Sequence, residues 1–565
     1  MTYTPNRRDT LAILSATALA SCAPDDTPTL KDMAEKPATE NPVFAHGVAS
    51  GDPDNNSLVL WTRITTTKDV ETVTWKISKT KDFAVLAGSG ELTASAKRDY
   101  TLKVIAKGLE TGQSYYYQFK TGAISSPIGR TKTLPGGSPK SLGIALVSCS
   151  HYTFGFFNAY DAIAKDEAID FILHTGDYIY EYGADGWGHE TGEIIGRFHA
   201  PTHEIVSLSD YRIRHAQYKT DAGTQAMHAA HPFLCLWDDH ETTNNPWMHG
   251  AKNHNPEEGE GEWAPRRDAS VQAYYEWLPI RDPQMGEDPN AFWRSYVFGD
   301  LATLVTLESR HTARAEQIDY RKYYDTVVDE ETANALKDDI AAPNRQMISD
   351  DMQAFLTDAF KTSVETRQPW RLVGNATPIA RMLIPDLEGL GTLSEAGPVQ
   401  MKSSSAKSLL WRGKYNLPFF SDTWDGYPWA RENLYAACRE VGAQDMLFLT
   451  GDSHSFWMNK LTDDNGRPMG LELGTAGVTS PGVFVGNDWN KTTATRLDNM
   501  FADEVEEVVW TDNFHQGYVR LELFPNQAKV SFMAVSTVLK PSYTIKVLKE
   551  TVIMHKGNSI VYTNP

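Results

Sequence analysis

The chain has 565 residues, 41% apolar and 11% aromatic, enough to bury a large core and to fill more than one domain. Its 73 acidic residues outnumber 53 basic ones, a formal net charge of -20. That excludes bulk nucleic-acid binding, which requires clustered Lys and Arg, and it means that an anionic substrate would need local positive charge from metal ions or a few buried arginines.

The N-terminus predicts export. Asn6-Arg7-Arg8-Asp9-Thr10-Leu11 resembles a twin-arginine signal, and the apolar stretch after it, Leu11 to Leu19, is too short to span a membrane in the mature protein. Leu19-Ala20-Ser21-Cys22 resembles a bacterial lipobox, in which Cys22 becomes the lipidated first residue; the alternative is an ordinary cleavage site at Ala18-Leu19-Ala20. Residues 1–22 are thus expected to engage the twin-arginine export machinery, leaving a periplasmic protein or a lipoprotein anchored on the outer side of the membrane. Residues 23–41, rich in Pro, Thr, Asp and Lys, read as a tether. Three cysteines remain after Cys22, an odd number that argues against a disulfide framework. Cys235 and Cys438 fit small buried hydrophobes, whereas Cys149, between Ser148 and Ser150 at the end of an apolar run, is a candidate ligand or reactive thiol.

Residues 42–135 are predicted to form an antiparallel β-sandwich of the immunoglobulin or fibronectin kind. Ser57 to Ile64, Glu71 to Ile77, Tyr100 to Ile105 and Ser114 to Lys120 alternate apolar with polar residues between turn signals. Pro135-Gly136-Gly137-Ser138-Pro139 reads as a boundary with few contacts across it. From Ser141 to the end, strands alternate with helical stretches such as Asn158 to Asp166 and Ser349 to Thr362, so 141–565 is expected to be an α/β catalytic domain.

Four apolar runs in that domain end on chemistry-bearing residues. Leu142 to Val147 ends at Cys149, Phe171 to Leu173 at Gly176-Asp177, Phe233 to Trp237 at Asp238-Asp239-His240, and Met446 to Leu449 at Gly451-Asp452-Ser453-His454. Short runs of this kind read as parallel strands covered on both faces, and such sheets bind ligands beyond the strands' carboxyl ends. Tyr180, three residues after Asp177, is within reach of the same ion. A thiolate, carboxylates, a phenol and an imidazole suit a trivalent iron beside a harder, oxygen-loving cation, and a carboxylate at Asp177 could bridge the two. Two such ions can clamp a phosphoryl group and activate water.

These motifs together resemble the PhoD-type alkaline phosphatases. The resemblance rests on Cys149, Gly176-Asp177-Tyr178-Ile179-Tyr180-Glu181, Trp237-Asp238-Asp239-His240-Glu241 with Asn244-Asn245, Gly451-Asp452-Ser453-His454, and an opening His46 to Pro53 similar to that family's N-terminal domain. It implies a calcineurin-like metallophosphoesterase fold, a two-sheet α/β/β/α sandwich preceded by the β-sandwich, with Fe(3+) and Ca(2+) as cofactors and small-molecule phosphate esters, monoesters or diesters, as substrates. By position it implies Cys149, Asp177, Tyr180 and His454 as iron ligands, with Asp177 bridging, and Asn244, Asp452 and Asp239 facing calcium. It places His240 against phosphate or the leaving group and gives Arg310, in Leu307 to Arg314, a phosphate role. A solute- or glycan-binding lipoprotein, a phospholipase-type phosphodiesterase and a cysteine hydrolase using Cys149 are the alternatives. The binding protein and the cysteine hydrolase leave the acids at the strand ends unexplained.

Overall fold

The computed structural model describes residues 43–387, 404–485 and 491–563; the export signal, Cys22 and the tether lie outside them. Two large sheets face each other. The first has ten strands and is parallel at its centre, where Leu142–Val147, Phe171–His174 and Phe233–Cys235 lie side by side with Phe171 opposite Ile144 and Ile172 opposite Phe233. The second has seven, with a parallel centre of Ala302–Thr306, Trp370–Gly374, Met446–Thr450 and Pro468–Gly474, in which Leu304, Leu372, Leu447 and Leu471 stand in register.

Side-chain alternation along these strands builds the layers, because successive residues point to opposite faces. Ile144, Leu146, Phe171, Leu173 and Leu234 of the first sheet meet Leu304, Leu372, Leu447, Leu449 and Leu473 of the second in one shared core. Their neighbours Ala145, Val147, Ile172 and Phe233 turn outward onto the helices Asn158–Lys165 and Trp263–Trp277. Val305, Val373, Met446 and Phe448 turn outward onto Asp350–Glu365, Pro428–Glu440 and Lys491–Glu504. The result is the expected α/β/β/α sandwich. With every central strand buried on both faces, polar groups have room only at the strand ends. No helix among the described residues is long and apolar enough to cross a membrane.

The N-terminal block forms the two sheets of a sandwich. Val70–Ser78, Leu86–Ser95 and Ser114–Thr121 belong to one; Val48–Gly51, Ser57–Arg63 and Thr101–Lys107 make the other. The Leu86–Ser95 strand escapes the sequence pattern because most of its residues are exposed or half-buried. The second of these sheets is continuous with the ten-stranded sheet: Gly51 pairs in parallel with Phe233, and the Asp52 N–H donates to the Phe233 carbonyl at 3.1 Å. The joint therefore carries more contact than the Pro-Gly linker implies. Trp61 Nε1 donates to the Glu276 carbonyl at 2.9 Å, and Lys103 pairs with Asp282 at 2.7 Å.

Leu447 is fully buried between the sheets. Leu447→Ala removes its contacts from both layers and is expected to cost about 2–5 kcal/mol. The urea midpoint should fall with an unchanged m-value; an unaltered midpoint would show that the two sheets do not share this core.

Candidate active site

The chain turns abruptly as it leaves each of three strands. Cys149, Asp177, Asp452 and His454 all have left-handed backbone, with φ of 61°, 57°, 58° and 56°, and Asn245 has 51°. Non-glycine residues in that region cost of order 1–3 kcal/mol each and persist where surrounding structure holds them, which is characteristic of functional sites. The turns bring the two sheets together. A Cβ added to Gly451 would lie 2.5 Å from Ser148 Oγ and 2.7 Å from Thr175 Oγ1, so only glycine lets the second sheet's loop approach the first so closely. Ser148 also bridges to Gly477, and its carbonyl accepts from the Val478 N–H at 2.9 Å.

The turned side chains converge. Ligand atoms of Cys149, Asp177 and His454 lie within 4.8 Å of one another, as do those of Asp177, Asp239 and His240, and those of Asp238, Asp239 and Asp452. The three groups are linked through Asp177 and Asp239. Tyr180 joins the first: its hydroxyl donates to Asp177 Oδ2 at 3.1 Å and lies 3.3 Å from His454 Nε2 and 2.8 Å from Ser480 Oγ. Asn244 stands half-buried at the rim, its N–H donating to Glu181 Oε1 at 2.8 Å.

The structure distinguishes the adjacent acids Asp238 and Asp239. Asp238 Oδ1 accepts from Arg310 Nε at 2.6 Å. Asp239 Oδ2 accepts from the Asn245 N–H at 2.9 Å, and this residue alone shares groups with both Asp177 and Asp452. Arg310, fully buried, lies with its other nitrogens 3.8 Å from Asp239, Asp422 and Asp452, and its Nη1 has no hydrogen-bond partner.

Burial and the concentration of acids shift the proton equilibria of several groups in the cluster. Burial, then the neighbouring carboxylates, push Asp177 and Asp452 well above the usual carboxylate range, and burial raises Asp238 to about 6 against the pull of Arg310. Burial followed by the Asp177 charge raises the Cys149 thiol. Burial opposes protonation of His240, but Asp239, Glu181 and Asp177 outweigh it and hold the imidazole protonated well above its ordinary range. Buried Asp238 Oδ2 and Asp239 Oδ1 have no hydrogen-bond partner. Unpaired carboxylate oxygens in a dry, repulsive cluster beside a thiol, a phenol and an imidazole are the donor set that metal cations satisfy, so the residues present fit a metal centre.

Several supporting residues stood inside the sequence motifs without being singled out. Glu241 accepts from the N–H groups of Asp177, Tyr178 and Asp238 at 2.6–3.0 Å, tying two strand-end loops to one carboxylate. Glu181 accepts from His240 Nδ1 at 2.6 Å and from Asn253 Nδ2 at 2.9 Å. Asp422 and Ser480 arrive on distant loops that carry no recognisable signal.

Two facing sheets with a ligand cluster at their parallel strand ends define an α/β protein with a metal-type site, and the comparisons with known proteins give its family. A family model described as PhoD-like phosphatase matches residues 144–532, and another, described as PhoD-like phosphatase, N-terminal domain, matches residues 30–135. The chain belongs to the PhoD-like phosphatase family and is a phosphatase. Alkaline phosphatase D of Bacillus subtilis (strain 168) is 31% identical over 515 residues, which cover 89% of this chain and 79% of that protein. A solved structure of PhoD superposes with a TM-score of 0.75 at 28% identity, and 94% of each chain is covered.

Because Glu181 helps to keep His240 protonated, Glu181→Gln should let the imidazole release its proton at lower pH than in the wild type. An NMR titration of His240 in metal-stripped protein tests this. An unchanged or upward-shifted midpoint would rule out Glu181 as its electrostatic partner.

Proposed function

We propose that this chain is an exported, metal-dependent alkaline phosphatase and phosphodiesterase that releases phosphate from small organic phosphate esters at the strand-end cluster. The observation that carries the reading is the linkage of three ligand groups through Asp177 and Asp239, with Tyr180 bonded to the first. In this reading Cys149, Asp177, Tyr180 and His454 would hold ferric iron, Asp239, Asn244 and Asp452 would serve calcium, and Asp177 would be the residue shared between the two. The thiol and phenol favour the trivalent ion, and the oxygen donors favour the harder divalent one. Bound there, the cations would supply Lewis acidity and lower the pKa of an attacking water.

The protein's own groups have separable tasks. Glu181 occupies His240 Nδ1, which leaves Nε2 to contact phosphate or to give its proton to the departing oxygen. Arg310 neutralises Asp238 through Nε and Nη2, and its Nη1, without a hydrogen-bond partner, would be the donor left for a phosphoryl group. Glu241 fixes the Asp177 and Asp238 backbones, so the donors are oriented before the ester arrives. Arg7-Arg8 and the sequence Leu19 to Cys22 support export by the twin-arginine route and a lipid anchor at Cys22, which would place the enzyme in the periplasm or on the outer face of the membrane. Stable attachment would need further acyl chains on Cys22.

Elemental analysis of the purified protein should find iron and calcium, and a calcium chelator should suppress ester hydrolysis at alkaline pH until calcium is returned. Full activity after exhaustive chelation would refute a labile divalent site. Asp177→Asn exchanges one carboxylate oxygen for an amide nitrogen that has no free lone pair, and it should lower the rate by several orders of magnitude and release metal. The matched control is Asp161→Asn on the Asn158–Lys165 helix, where Asp161 bonds to Lys165 and the Tyr543 hydroxyl away from the cluster. Comparable activity and metal content in the two variants would remove Asp177 from the site.

A further inference from the structure

Trp187 is 37% exposed, and its ring lies nearly parallel to that of His454, with centroids 5.6 Å apart and an interplanar angle of 18°. A singly exposed apolar side chain on a protein surface is ordinary. A rigidly mounted one beside ligand-type residues is not. The Trp187 ring is braced edgewise by Phe154 at 4.7 Å, His151 at 5.0 Å and Tyr182 at 6.2 Å. Its backbone is braced as well. The Trp187 carbonyl accepts from Thr153 Oγ1 at 3.4 Å, and the next residue, Gly188, has φ of 91° where a Cβ would lie 2.3 Å from that oxygen. The chain thus presses the indole against the wall of the cluster while leaving part of the ring in solvent.

The neighbours also define what this surface suits. Phe154, His151, Tyr182 and His454 pack around the indole, so what its exposed part offers an incoming group is an aromatic face. A planar π-system stacks on such a face in the offset or edge-to-face geometries that aromatic pairs prefer. We propose that Trp187 is the stacking platform for a planar, aromatic organic group of the phosphate ester, and therefore a specificity-determining residue. This inference rests on the cluster being the phosphoester site, because it is the stacking on His454 that sets the indole beside the cluster.

The test compares kcat/KM for phenyl phosphate with that for glycerol phosphate in metal-replete wild type, Trp187→Ala, Trp187→Leu and Trp187→Phe. The aryl-over-alkyl preference should fall roughly tenfold in Trp187→Ala and Trp187→Leu, carried mainly by KM for the aryl ester, and should return in Trp187→Phe. If Trp187→Ala does not fold, as judged by circular dichroism, the Leu and Phe variants carry the comparison. An unchanged preference, or an equal loss on both esters, would overturn the proposal and leave Trp187 as packing for His454. A wild type inert toward both esters with its metals bound would instead remove the phosphoester reading, and this inference with it.

Discussion

Mutual repulsion among Asp177, Asp238, Asp239 and Asp452, confined where solvent is excluded, is the constraint that the rest of this structure accommodates. Like charges within a few ångströms in a medium of low dielectric are strongly unfavourable, and either protons or cations must relieve them. The chain itself supplies part of the relief, through the buried guanidiniums of Arg310 and Arg314 and through the imidazole of His240, whose pKa the surrounding acids raise. Groups packed on the cluster hold the acids together despite their charge, and the unpartnered oxygens of Asp238 and Asp239 are where positive ions would complete the balance.

Holding them together falls to carboxylates one layer out. Glu241 gathers backbone N–H groups from two loops, and Glu181 fixes His240 and the Asn244 backbone, so acidic residues organise an acidic centre. Each of these outer carboxylates is satisfied by several donors and so remains buried without seeking a metal of its own. The left-handed backbones at Cys149, Asp177, Asp452 and His454 represent strain stored for the same purpose. Relaxing any one of them would swing its side chain away from the shared point.

Much of this was legible in the sequence, because a strand buried on both faces leaves an unbroken apolar run, and the residue that breaks it must lie at an end. That logic pointed to Cys149, Asp177, the Asp238-Asp239 pair, Asp452 and His454 without separating the two adjacent acids, and the motifs resembled a known family. Glu181 and Glu241 sat in the same motifs, but their task is to receive N–H groups from loops whose path depends on tertiary packing, and no local pattern records it. Asp422 and Ser480 were invisible for a stronger reason, since each reaches the centre from a segment with no periodicity. The union of the N-terminal block with the catalytic sheet was also hidden. The sheet continues through one parallel pairing, Gly51 with Phe233, and the other ties across the joint are isolated contacts such as Trp61 with Glu276, so there is no repeat to read.

That pairing has a consequence for how the molecule is made. Val48–Gly51 is synthesised long before its neighbour Phe233–Cys235, and the Trp61 indole likewise waits for the carbonyl of Glu276. Contacts between residues so far apart in sequence form late and slowly. A ribosome-bound fragment ending before the Trp263–Trp277 helix would hold Trp61 without its hydrogen-bond acceptor and one edge of a nascent sheet uncovered, a state prone to association with other chains. The N-terminal block thus forms the first half of a clasp that closes only after the first sheet's central strands exist, and its docking is coupled to synthesis of the chain as far as Glu276.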